Sequence, residues 1–173
     1  KVLLVYPGRL NCLTKRMPLA ILYIAESLIE KGFEPVILDM QVKEFSESFI
    51  QDIICVGISS LSGKQIQDGL ELAARIRKLK PKLPIVWGGI HASIIPEQTI
   101  DHELVDYIIR GEGEEAFPEL VKALRDGSDY QGIDNLVFQH NGKTVLNPIR
   151  PFINFNKRNN LPYDLLDLDK YHT

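Results

Sequence analysis

Side chains that could do chemistry gather at a few short stretches of this chain. Ser59-Ser60-Leu61-Ser62-Gly63 sets three hydroxyls and a glycine close together. Small polar residues leave room for a ligand and can hydrogen-bond it; they equally suit an N-cap for a following helix. Gly88-Gly89 removes two successive Cβ atoms, and one glycine would do for a turn, so the pair points to close approach of a ligand to the backbone. A β-branched residue in place of Gly89 is expected to block that approach and spare the fold. His91 and Ser93 follow, and His91 has no second His or Cys at metal-ligand spacing. In Arg110-Gly111-Glu112-Gly113-Glu114 the glycines allow an unusual backbone path. Free N–H groups at the start of a helix there could meet ligand carbonyls, while Glu114 and Glu115 suit the positive end of its dipole. The long stretch from Pro7-Gly8 to Arg16-Met17 has neither a Gly-rich dinucleotide pattern nor a Walker pattern, and it contains no Asp or Glu. Nucleotide phosphate binding and Mg²⁺-dependent phosphate acceptance therefore have no signature in it.

The elements that must position these residues read from the apolar pattern. Val2–Tyr6, Pro35–Leu38, Ile53–Ile58, Ile85–Trp87 and Val105–Ile109 are short, near-continuously apolar runs, each ending at one of the polar or glycine-rich stretches or at Asp39. Strands of that kind are buried on both faces. Helices are expected over Pro18–Lys31, Gln65–Lys80 and Glu114–Arg125, with a short one from Pro96. In the first, Leu19, Leu22, Ile24, Leu28 and Ile29 form the apolar stripe, Pro18 suits the first turn and Gly32 the C-cap. In the second, Ile66, Leu70, Ala73, Ala74, Ile76 and Leu79 face inward and Pro81 ends the helix. Five β/α alternations predict an α/β, flavodoxin-like doubly wound parallel five-stranded sheet in the order 2-1-3-4-5. Leu136–Gln139 and Thr144–Leu146 around Asn141-Gly142 read as a β-hairpin with a type I′ turn, appended after the fifth unit. In an open α/β sheet the ligand sits at the carboxyl ends of the strands, where the chemistry-bearing stretches fall.

Composition bounds the rest. With 173 residues, 45% apolar and 25% charged, the chain suits one domain with a real core. The net charge is −3, so no basic surplus points to nucleic acid or an anionic membrane. No apolar run is long enough to span a bilayer. Two cysteines, Cys12 and Cys55, cannot make a disulfide framework or a thiolate metal site, and Cys55 suits a reduced core thiol. A strand already at Val2 leaves no signal peptide ahead of the fold, so a cytoplasmic protein is expected. Asn159–Thr173 has no clear period and reads as a linker.

Several phrases resemble a known family. Ser59-x-Leu61 followed about 26 residues on by Gly88-Gly89 is similar to two motifs of cobalamin (vitamin B12)-binding domains. Met17-Pro18-Leu19-Ala20-Ile21-Leu22-Tyr23-Ile24-Ala25, Val56-Gly57-Ile58-Ser59, Ile85-Val86-Trp87-Gly88-Gly89-Ile90-His91-Ala92 and Arg110-Gly111-Glu112-Gly113-Glu114 resemble the N-terminal half of cobalamin-dependent radical SAM enzymes. That group includes methylases and the anaerobic magnesium-protoporphyrin monomethyl ester cyclase. Leu161-Pro162-Tyr163-Asp164-Leu165-Leu166 is similar to the linker that leads there into the radical SAM barrel.

The resemblance implies a Rossmann-like cobalamin domain over residues 1–130, a hairpin over 131–150 and a linker over 151–173 toward a C-terminal radical SAM domain of the same polypeptide. That whole enzyme would also use a [4Fe–4S] cluster and S-adenosylmethionine. The implied cobalamin-binding residues are Pro7, Arg16, Met17, Ser59, Ser60, Leu61, Gly88, Gly89, His91, Gly111, Glu112 and Gly113, with Ser59 offering its hydroxyl to the freed base of the cofactor tail. Mutase-type relatives carry Asp-x-His-x-x-Gly in the first loop, where His binds cobalt. This chain has no His before His91, and that position falls at Met17, beside Arg16. The radical SAM branch commonly lacks this His, so the implied binding is base-off without a His ligand. The Cys-x-x-x-Cys-x-x-Cys cluster motif is absent, so the chain by itself is read as a cofactor module. Two alternatives stay open: a flavin-binding flavodoxin-like domain, whose phosphate cradle would have only Thr14 as a first-loop hydroxyl, and a cofactor-free interaction domain.

Overall fold

The computed structural model describes residues 1–10, 15–61, 63–153 and 161–171. Cys12 and Thr14 of the first loop, Ser62, and 154–160 of the expected linker lie outside the described residues. The elements run β1 (Val2–Tyr6), α1 (Leu19–Glu30), β2 (Pro35–Asp39), β3 (Val56–Ser59), α2 (Lys64–Leu79), β4 (Ile85–Gly88), α3 (Ile90–Ile94), α4 (Pro96–Ile100), β5 (Tyr107–Ile109), α5 (Ala116–Asp126), β6 (Leu136–His140) and β7 (Lys143–Leu146).

Alternation along the strands divides the core into two layers. Val2, Leu4, Val86 and Ile109 point to one face and pack with Leu22, Ala25 and Leu28 of α1 and Phe117, Leu120 and Val121 of α5. Leu3, Val5, Val56, Ile58, Trp87 and Ile108 point to the other and pack with Leu72, Ala73 and Ile76 of α2. Each parallel strand thus buries both faces, which is why its sequence is apolar throughout. The helical stripes sit slightly differently from expectation. On α1 the buried apolar positions are Ile21, Leu22, Ala25 and Leu28, whereas Leu19 and Ile29 are exposed. On α2, Leu79 is exposed, and Ile66 and Leu70 are only partly covered.

The sheet order is β2-β1-β3-β4-β5-β6-β7, parallel through β5 as expected and antiparallel beyond it. The expectation of five strands with an appended hairpin is corrected here: the sheet has seven. β5 is three residues long and would be an exposed edge, a poor terminus for a sheet. β6 pairs with it through Tyr107↔Phe138, Ile108↔Val137 and Ile109↔Leu136. Leu136, Val137 and Phe138 are all buried, Leu136 and Phe138 in the core layer that holds α1 and α5 and Val137 in the layer that holds α2. Tyr130 fastens the junction by edge-on contacts with Tyr107 and Phe138, at centroid distances of 5.2 and 5.4 Å. The hairpin turn is as expected, with φ of 51° at Asn141 and 72° at Gly142.

Gly89 is demanded by the fold itself. Its φ is +88°, and a Cβ there would sit 2.4 Å from the carbonyl oxygen of Ser60. The expectation that a bulky residue would leave the fold intact is therefore corrected: a side chain here fits only if the Ser60 backbone shifts. Replacing Gly89 by Ala should lower unfolding stability by about 2 kcal/mol or more, measured by urea titration; a change near zero would contradict the backbone conformation described. Cys55 is completely buried, and burial pushes its thiol up to about 12. Iodoacetamide at neutral pH should therefore modify Cys55 only on unfolding, as read by peptide mass spectrometry. Rapid labelling in the native state would contradict the packing around β3.

Candidate functional site

The register of β3 against β4 makes the site. It pairs Gly57 with Val86 and Ser59 with Gly88. By alternation Gly57, Ser59 and Gly88 all face α1 and α5, so the carboxyl ends of the two central strands offer almost no side-chain volume on that face. The helices stand off there, and a slot of about 230 Å³ opens between sheet and helices. Leu4, Val86 and Ile109 contribute to its floor, Ala20, Ile21 and Ile24 of α1 form one wall, and Phe117 of α5 closes the inner end. A Cβ on Gly57 would lie 2.9 Å from Phe117, so that glycine lets the ring reach the sheet. Gly88 differs: a Cβ there would meet only the Ile109 carbonyl oxygen, at 3.7 Å, so nothing in the packing requires glycine. Its missing side chain is open space belonging to the slot. Among the described residues the Ser59 hydroxyl has no hydrogen-bond partner.

The loop after β5 forms the mouth. Gly111 has φ +76° and donates its N–H to Ser93 Oγ (2.9 Å), which in turn donates to the Gly89 carbonyl (2.8 Å). Gly113 lets the loop close on α1, since a Cβ there would lie 2.9 Å from Ile24 Cδ1. The Glu112 side chain is engaged within the protein: Oε2 accepts the Ile153 N–H at 2.7 Å, and its carbonyl accepts from Asn135 Nδ2 at 2.8 Å. Asn135, buried at φ 68°, also accepts the Arg150 N–H at 2.7 Å, tying the mouth to the segment after the hairpin. Nothing in the local pattern around Asn135 signals this role.

Of the expected site residues, Ser59, Gly88, Gly89, Gly111, Glu112 and Gly113 line the slot. Pro7, Arg16, Met17, Ser60, Leu61 and His91 do not. Pro7 is buried beside α2 and its carbonyl accepts from Gln65 Nε2 (3.2 Å). Leu61 lies exposed on the rim. Ser60 is fully buried, with an Oγ that finds no partner among the described residues. Arg16 is exposed, while Met17 packs against the α1/α5 core. His91 turns to the opposite face of the sheet, into a groove of about 260 Å³ shared with Ile66, Leu70 and His102. The slot walls from Ala20, Ile21 and Phe117 carry no polar signal and could be found only by placing α1 and α5 over β3 and β4.

This geometry has known counterparts. The B12 binding domain matches residues 12–121. An uncharacterized methyltransferase of Pyrococcus horikoshii is 33% identical over 99% of this chain and 40% of its own length. The anaerobic magnesium-protoporphyrin IX monomethyl ester cyclase of Synechocystis is 26% identical over 89% of this chain and 32% of its own. The chain thus spans well under half of either relative. The fold is shared with the radical S-adenosylmethionine methyltransferase TsrM of Kitasatospora setae, solved with cobalamin and a [4Fe–4S] cluster bound (TM-score 0.74, 24% identity, 88% of this chain and 29% of that one). It is shared also with the cobalamin-dependent radical enzyme OxsB, solved with aqua-cobalamin and S-adenosylmethionine bound (TM-score 0.70, 20% identity, 87% and 22%). Among the described residues no helix is long and apolar enough to cross a membrane. The match over most of the sheet and the small-residue slot at its carboxyl ends favour cobalamin over the flavin reading, and the chain belongs to the B12-binding domain family.

Proposed function

We propose that this chain is the cobalamin-holding module of a larger radical SAM enzyme, one that carries out methyl transfer or radical cyclisation with a [4Fe–4S] cluster and S-adenosylmethionine bound by a downstream domain of the same polypeptide. The observation that carries the reading is the Ser59–Gly88 pair, a floor with one hydroxyl that has no partner among the described residues and one missing side chain, under apolar walls. That cradle fits the flat, nitrogen-bearing base of a cobalamin tail displaced from cobalt. Ser59 would donate to the ring nitrogen, Gly88 would leave room for the ring, and Ile21, Ile24 and Phe117 would cover it and exclude water. The loop from Gly111 to Gly113 would frame the entrance. Cobalamin itself supplies the methyl-transfer or radical chemistry.

The first loop supports binding without a His ligand. No His precedes His91, and His91 faces the other side of the sheet. By the resemblance the position of the mutase-type His falls at Met17, beside Arg16, and Arg offers no lone pair to a metal. We assign the covering of the lower cobalt face to the first loop, through Arg16 or Met17. The Co(II) form should then show no nitrogen hyperfine splitting in its electron paramagnetic resonance spectrum, and Arg16→His should introduce it. Splitting in the parent chain would overturn the His-free reading; an unchanged spectrum in the variant would remove Arg16 from the lower face.

Slot occupancy is tested by titration. Gly88→Leu keeps allowed backbone geometry but fills the slot, and should weaken cobalamin binding by at least about tenfold with little change in unfolding. Ser59→Ala should cost roughly 0.5–1.5 kcal/mol of binding. Parent-like affinity in a folded Gly88→Leu would place the cofactor elsewhere, and a parent chain that binds no cobalamin would favour the cofactor-free interaction domain.

A further inference from the structure

Helix α1 forms one wall of the slot, yet its N-terminus has no side-chain cap: Pro18 occupies the N-cap and makes no side-chain hydrogen bond. What holds this end is a grip on the residue two positions earlier. The Arg16 N–H donates to Gln41 Oε1 at 3.2 Å, and Gln41 Nε2 donates to the Arg16 carbonyl at 2.9 Å. Gln41 is buried and is itself oriented by Asp39 at the carboxyl end of β2. Its backbone N–H donates to Asp39 Oδ1 at 2.9 Å, and Nε2 also reaches Oδ1 and Oδ2 at 3.1 and 3.2 Å. Asp39 is only 2% exposed, and no described cation forms an ion pair with it, so its buried carboxyl oxygens rely on these donors.

The remaining donor comes from the far end of the chain. Tyr171 Oη donates to Asp39 Oδ2 at 2.6 Å, across 132 residues of sequence. Burial, and then the hydrogen bond to Asp39, raise the Tyr171 phenol well above its ordinary pKa, so it stays a donor. The segment that carries it lies along the α1/α5 face, where Leu161, Leu165 and Leu166 pack on the core that also receives Met17. Lys15 Nζ donates to the Lys170 carbonyl at 3.1 Å. Tyr171, Asp39, Gln41 and Arg16 form one continuous hydrogen-bonded line from the C-terminal segment to the start of the slot wall.

We propose that Asp39, Gln41 and Tyr171 are positioning residues that set the α1 wall, so that seating of the 161–171 segment and filling of the slot favour each other. The coupling to the slot rests on the cobalamin reading above; the relay itself does not. By linkage, whatever pulls Tyr171 away loosens the slot, and a ligand that holds α1 in place retains Tyr171.

The test is amide hydrogen exchange of the 173-residue chain, without cofactor, for the parent and for Tyr171→Phe, which removes one hydroxyl and keeps the ring. Exchange at Arg16 should speed up on the order of tenfold, as for loss of a hydrogen bond to a charged group, while Val86 and Trp87 in β4 are unchanged. In a Gln41→Met background Tyr171→Phe should add nothing at Arg16. Unaltered exchange at Arg16, or a full effect persisting without Gln41, would overturn the relay. Cobalamin titration of the same proteins reads the coupling: Tyr171→Phe should bind severalfold more weakly, and equal affinity despite faster Arg16 exchange would overturn it. A parent chain that binds no cobalamin would sink the reading of the slot, and the exchange result would still decide the relay.

Discussion

Two register partners on adjacent strands, Ser59 on β3 and Gly88 on β4, place a hydroxymethyl group and a hydrogen atom where a sheet ordinarily carries two large apolar side chains. Close packing cannot be kept over such a pair, because the helices are held at sheet distance by Leu22, Ala25 and Leu28 on one side and Leu120 and Val121 on the other. The gap left over is the slot. Everything around it maintains that gap: Gly57 admits Phe117 as the inner stop, Gly113 admits Ile24 as the outer one, and Gly89 turns the chain sharply enough for β3 and β4 to stay paired to their last residues.

The opposite layer shows why this is specific. Trp87, the neighbour of Gly88, is fully buried against α2, and Ile58, the neighbour of Ser59, is buried with it. At their last paired residues these two strands carry large side chains on the α2 face and almost none on the α1/α5 face. A one-residue change of register would exchange the faces and fill the slot with Trp87. The seven-stranded extent of the sheet protects that register, since β6 covers the short β5 and Asn135 ties the turn before β6 to the mouth of the slot. A strand pair added at the edge therefore bears on geometry at the centre.

Much of this was legible from residue types alone. Apolar runs ending in Ser59-Ser60 and Gly88-Gly89 identify the strand ends, and the parallel order 2-1-3-4-5 follows from β/α alternation. What escaped depends on long-range partners or on one dihedral. The positive φ of Gly89 starts α3 at once and sends His91 to the α2 face, so a residue two places from the slot faces away from it. Glu112 looks like a ligand-facing acid until the Ile153 N–H, 41 residues on, is found to occupy it. Leu136-Val137-Phe138 has the continuous apolar character of an interior strand, but only pairing with β5 reveals the edge it extends. The line from Tyr171 to Arg16 joins the two ends of the chain and has no local pattern at all.

The central claim is that the cofactor tail lies between the sheet and α1, over Ser59 and Gly88. It is tested most directly by amide chemical-shift mapping of the isotope-labelled chain as cobalamin is added. Shifts are expected to concentrate at Ser59, Gly88, Ile21, Ile24 and Gly111–Gly113, with His102 and Leu70 on the opposite face unmoved. Shifts centred on His91, His102 and Leu70, with Ser59 and Gly88 silent, would contradict it.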